Sequence, residues 1–280
     1  MGDSLDWLDL PAAPRIVFER TPLALTVCQV RYSPQLKVAD PVAVAPFQDA
    51  ISDLFPSLSP AQDVSFHGEI EVGGVQAGPQ MSVGSYAQVA WYFSDNDDNW
   101  SLKLTPDSLT LETRTYEHFS SFVDRLEIVL RALAKHIRPS VGTRIGLRYI
   151  NEIRQNELDW ELVIRPELLG PLALPQFASA TQQIVQQVLL RRDAGMGVNI
   201  SHGLLLGSVV NPRPGTPSPS GPLYLIDIDV FQDFKAGELL VNAPAVLRHV
   251  EEFHGIISRV FRWAITESYA ETLGRREDVD

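Results

Sequence analysis

Phe119, Phe122, Val123, Leu126, Val129, Leu130, Leu133 and Ile137 recur at helical spacing in one uninterrupted stretch. They draw a single apolar stripe along an amphipathic helix over 117–137. Pro139 stops it, and Lys135, His136 and Arg138 sit where cations favour a helix C-terminus. A stripe that long must be covered by a sheet or by another helix. A second stripe runs through Val246, Val250, Phe253, Ile257, Val260, Phe261 and Ala264, so a final helix is expected over 243–270 with Asn242 as its N-cap.

β-type segments precede each helix. Leu23 to Tyr32 reads as a strand stopped by Ser33-Pro34. Asp40-Pro41 then opens a helix to about Leu54 that buries Val44, Phe47, Ile51 and Phe55. Strands are expected at 64–72, Tyr86–Ser94, Trp100–Thr105 and Ser108–Thr115, with a Gly-rich loop at 73–84. The turns DNDDN at 95–99 and Pro106-Asp107 have hairpin chemistry, so 62–115 reads as an antiparallel meander. After Pro139 the pattern restarts. Thr143–Ile153 is a strand, 157–173 a short helix or irregular segment, and 181–191, 196–209 and Tyr224–Phe231 are strands. Residues 211–222 hold five prolines and read as an exposed loop.

The expected fold is α+β in two similar halves, 20–139 and 140–273, each running strand, helix, antiparallel strands, long helix. Residues 1–19 and 274–280 read as tails. Val30-Arg31-Tyr32 and Leu147-Arg148-Tyr149 hold matching places in the two opening strands. In element order the arrangement resembles the TATA-binding-protein-like and helix-grip folds, which by itself assigns no DNA binding.

The stretch from Trp91 to Phe122, the helix after it, and Arg144 to Ile153 resemble a sporadically distributed family of bacterial proteins of about 250–280 residues. The resemblance covers nearly the whole chain. It brings no established activity and no catalytic residues, and it implies an accessory role in defence or mobile-element loci.

With 35 acidic against 23 basic residues the formal charge is −12, which opposes nucleic acid and anionic lipid. Residues 114–154 depart from that balance, with eight Lys or Arg and four Asp or Glu. A basic surface there keeps nucleic-acid binding as an alternative. The lone Cys28 and the acidic N-terminus point to a reducing cytoplasm, and no run of about 18 apolar residues is present to span a membrane.

Two constellations stand out as candidate ligand-binding residues. Arg144 and Arg148 share a strand face across Gly146. Two such guanidinium groups can clamp phosphate or carboxylate, or pair with acidic neighbours such as Glu152. Asp227 and Asp229 share a face of another strand, opposite Tyr224, Ile226, Ile228 and Val230. Paired carboxylates suit Mg²⁺ or acid–base work, or simply form the polar side of a half-buried strand. His202 is a candidate neighbour for them.

Other signatures fail on spacing. The 95–99 turn lacks the glycine and glutamate of a calcium loop. His249 and His254 lie five residues apart, not four, so one helix face cannot offer both to zinc. Phosphate-loop, dinucleotide and nucleophile-elbow motifs are missing. No catalytic residue, metal or cofactor is therefore assigned. The leading expectation is a non-enzymatic interaction or regulatory module with a protein partner or self-association. Small-anion or nucleotide sensing or hydrolysis in a cleft between the halves is the alternative.

Overall fold

A computed structural model describes residues 6–10, 16–61, 89–154, 159–193, 195–210, 217 and 219–277. The expected strand at 64–72, the loop at 73–84 and most of the Pro-rich loop lie outside them. In chain order the strands are β1 (Ile16–Phe18), β2 (Leu23–Tyr32), β3 (Ser57–Ala61), β4 (Ala90–Ser94), β5 (Trp100–Thr105), β6 (Ser108–Thr113), β7 (Gly142–Ile153), β8 (Gln186–Arg191), β9 (Met196–Leu206), β10 (Pro222–Asp233) and β11 (Arg275–Glu277). The helices are α1 (Pro41–Ile51), α2 (Phe119–Ala132), α3 (Pro166–Leu169), α4 (Pro175–Ala178), α5 (Ala243–Ala264) and α6 (Glu267–Thr272).

Among the described residues nine strands form one antiparallel sheet in the order β3-β4-β5-β6-β2-β7-β10-β9-β8. The fold is mixed α+β. Its centre is the β2–β7 pair, with Cys28 opposite Leu147.

Local chemistry explains the elements. Asp40 caps α1 by accepting from the Val42 N–H, with Pro41 in the first turn. α2 buries Phe122, Leu126, Val129 and Leu130, then widens into a π-helical turn over Leu133–Ile137. Arg138 ends it in the left-handed conformation (φ 55°) just before Pro139. Asn242 caps α5 by accepting from the Ala245 N–H, and α5 lies across β7 and β10.

Three expectations are corrected. The final helix does not run to 270. It stops at Ala264 because Ile265 bridges to Ile164 and Thr266 donates its N–H to the Val163 carbonyl. The Thr266 side chain then caps α6. The strand expected over 181–191 begins at Gln186, since the Thr181 hydroxyl and N–H both close a turn onto the Phe177 carbonyl. β3 has no counterpart in the sequence reading; its Ser-Leu-Ser-Pro-Ala sequence holds no β-branched or aromatic residue, and among the described residues it pairs with β4 alone. The segments read as tails meet each other, β1 pairing antiparallel with β11. Trp7, Leu8 and Leu10 pack against the core.

Candidate functional site

Strand alternation divides the sheet into two unlike faces. Cys28, Val30, Leu102, Leu104, Leu109, Leu111, Ile145, Leu147, Ile226, Ile228 and Val230 turn to one side. There they join the buried side chains of α1, α2, α3, α5 and α6 in a single cluster. The residues between them turn the other way: Gln29 and Arg31, Lys103, Thr110 and Glu112, Arg144 and Arg148, Asp227, Asp229, Phe231 and Asp233, Asn199 and Ser201. Among the described residues no helix contributes a buried side chain to this second face. Ile150, Leu205, Leu223 and Leu225 form an apolar cluster at one end of it.

The sequence candidates meet here because β7 and β10 are direct neighbours. Arg148 grips Asp227 as a fork, Nε donating to Oδ1 at 2.8 Å and Nη2 to Oδ2 at 2.6 Å. Arg144 donates from Nη1 to Asp233 Oδ1 at 3.0 Å and stands 3.8 Å from Asp229 Oδ2. Phe231 underlies the Asp233 end of the network, with the Arg144 guanidinium carbon 3.8 Å and that of Arg191 4.9 Å from its ring centre. Gly197 leaves the room for that ring, since a Cβ there would come within 2.6 Å of Phe231 Cζ.

Electrostatics separate the groups. Burial works against the Arg148 charge, but the hydrogen bonds and charge of Asp227 outweigh it and raise the guanidinium above its ordinary value. Burial pushes the Asp229 carboxyl up to about 6, with Arg144 and Arg148 pulling it back only in part. Glu112 is raised by burial in the same way, against the pull of Arg114 and Lys103.

The neighbours named from sequence fall differently. Glu152 is taken by Arg154, the Ser208 hydroxyl and the Val209 N–H. His202 does not approach the aspartates; its position on β9 turns it into the core, where Nδ1 meets the Tyr224 hydroxyl at 3.0 Å. Asp233, Phe231, Arg191 and Glu112 complete the network. Polar alternation in β6 and β10 marks Glu112 and Asp233 as lying on one face, but only register joins them to the arginines.

The helix side holds a second polar chain. His254 Nδ1 meets the Tyr149 hydroxyl at 2.9 Å, which reaches the Tyr116 hydroxyl at 3.2 Å, and the imidazole stacks on Phe119 at 3.9 Å. Burial lowers the His254 imidazole to about 4. An unfolded histidine titrates near 6.5, so the unfolded chain takes up a proton that the folded chain refuses. Stability therefore falls as pH drops from about 6.5 toward 4, by about 2 kcal/mol at pH 5. His254→Gln should lose about that much less stability than wild type between pH 7 and pH 5 in urea unfolding. Equal losses would refute the assignment.

The eight basic residues of 114–154 do not form one surface. Arg131 pairs with Glu127 on α2 and Arg125 covers the Trp100 ring, while Arg144 and Arg148 belong to the opposite side of the sheet. In the acidic turn, Asp95 accepts from the Asn99 and Trp100 N–H groups. Among the described residues no group of three or more His, Cys, Asp or Glu side chains is arranged to hold a metal ion, and no helix is long and apolar enough to cross a membrane. A cleft of about 700 Å³ opens between Trp160, Leu172 and Pro175 on one side and Leu204 and Pro222 on the other. No protein-family model and no curated protein matches the chain.

Proposed function

We propose that this chain is a non-enzymatic protein-interaction module whose recognition surface is the face of its sheet opposite the described helices. The observation that carries the reading is the way that face handles charge. Arg31, Lys103, Arg144, Arg148 and Arg191 are interleaved there with Glu112, Glu152, Asp227, Asp229 and Asp233. The central arginines are held by carboxylates of the same chain. A fork already filled by Asp227 has little left for a free anion, and arginines interleaved with carboxylates offer no continuous cationic track to a polyphosphate backbone. A rigid, mixed-charge, half-buried surface suits a protein partner of matching pattern.

The proposal extends to origin. Outward from the central pair, the strands run β2, β6, β5, β4, β3 on one side and β7, β10, β9, β8 on the other. Each side thus shows its first strand, then its last, then the others in reverse. The Val30-Arg31-Tyr32 and Leu147-Arg148-Tyr149 echo keeps its faces, with Arg31 and Arg148 on the open side and the flanking residues in the core. Both features support a duplicated, TATA-binding-protein-like unit. The resemblance to sporadically distributed bacterial proteins supports an accessory role in a larger bacterial defence or mobile-element system.

Affinity purification from the native host tests the reading. Arg31→Glu combined with Lys103→Glu should weaken retention of a stoichiometric partner tenfold or more, about 1.4 kcal/mol. Arg131→Glu, on the helix side and 68 % exposed, should not. A partner lost from the Arg131 variant and kept by the face variant would overturn the proposal.

A further inference from the structure

The two edges of the sheet are not equivalent. Among the described residues β3 forms one edge; it is five residues long, and its Pro60 has no N–H to offer a further strand. At the other, β8 reads Gln-Gln-Val-Leu-Leu-Arg, with no proline and no lysine. Val188 is 42 % and Leu189 54 % exposed. Ile184 and Arg192 donate their N–H groups to Leu204 and Met196 of the β9 side. Even-numbered residues therefore face β9 with their backbone, and Gln187, Leu189 and Arg191 aim theirs outward, where no described partner meets them.

We infer that β8 pairs antiparallel with β8 of a second copy about a two-fold axis through Leu189, extending the sheet across both chains. The residue pattern selects this occupant and this register. With the axis normal to the sheet, helices stay on one side and partners share a face. Leu189 then lies opposite Leu189 of the other copy, Val188 opposite Leu190, and Gln187 opposite Arg191. Apolar meets apolar on both faces, and no like charges meet. Moving the axis to Val188 would set Gln186 against Leu190 and Gln187 against Leu189, a poorer match. The outward backbone groups of Gln187, Leu189 and Arg191 are the ones this register uses. A strand edge alone is smaller than a standard interface, so the dimer is weak, with a dissociation constant of roughly 10–100 µM.

The β8 edge borders the open face at Arg191 and Leu189, but the test reads self-association of the chain alone and does not depend on that face binding a partner. Sedimentation of the full chain alone should show a concentration-dependent dimer. Leu189→Pro removes an N–H that no described neighbour in its own chain uses, and Leu189→Lys sets two ammonium groups against each other; both should be monomeric with an unchanged circular-dichroism spectrum. Should the proline variant misfold, the lysine variant decides. Paired residues at the axis have Cα atoms about 5.5 Å apart, within disulfide reach. Leu189→Cys should therefore crosslink to its own copy under mild oxidant, whereas Leu162→Cys, 59 % exposed in the wild type, should not. The native Cys28 is fully buried and does not compete. A wild type that stays monomeric to about 500 µM, well above that range, or a dimer that survives both Leu189→Pro and Leu189→Lys, would overturn the inference. Crosslinking of the Leu189→Cys variant only to a different protein would overturn it as well.

Discussion

Arg148→Ala should destabilise the protein by about 3–5 kcal/mol, the usual cost of stripping one partner from a buried ion pair. Asp227 is 4 % exposed, and the Arg148 fork fills both of its oxygens. Asp229 and Glu112 also lean on the same guanidinium charge. Alanine would leave three carboxyls around an empty site, and the most buried of them would have to find water or a proton. Arg148→Lys should recover only part of the loss, since an ammonium cannot meet two oxygens in one plane. The double variant Arg148→Met with Asp227→Leu should return most of it, because the penalty comes from the uncompensated charge and not from the missing bridge. Urea denaturation of the three variants measures this directly. A cost below about 1 kcal/mol for Arg148→Ala would mean that the pair is solvated like a surface bridge.

Local chemistry makes much of this architecture readable. β2 coincides with its expected bounds because Leu23 to Tyr32 is rich in apolar and β-branched residues and Ser33-Pro34 cannot continue a strand. The start of α1 is equally plain, since Asp40 and Pro41 are a cap and a first-turn residue in sequence. The break at Ile265 is not readable, because it depends on a bridge to Ile164 about a hundred residues away. β3 fails for a related reason: it is a strand only because β4 offers it an edge.

The network on the open face divides the same way. That Arg144 shares a face with Arg148, and Asp227 with Asp229, follows from the two-residue period of a strand. That Arg148 reaches Asp227, and Arg144 reaches Asp233 across 89 residues, depends on which strands become neighbours and in what register. Composition does not encode that. His202 shows the cost of guessing it: one position of parity puts the imidazole in the core with Tyr224 and not beside the carboxylates.

Phe122→Ala should cost about 3–5 kcal/mol, as expected for deleting a large ring from a packed core. Phe122 is 1 % exposed, in the first turns of α2. Its ring stacks on Trp100 with centres 5.8 Å apart, and the Arg125 guanidinium covers the same indole at 4.5 Å. The substitution would open a cavity and also remove one wall of the Trp100 site, where α2 meets the start of β5. Two consequences separate this from a simple loss of apolar area. Trp100 fluorescence should shift to the red in the folded variant, as the indole gains access to water. Phe122→Leu should recover more than half of the lost stability, since it refills most of the volume without restoring the stack. A near-zero cost for alanine in chemical denaturation would mean that the stripe along α2 does not cover the sheet as described.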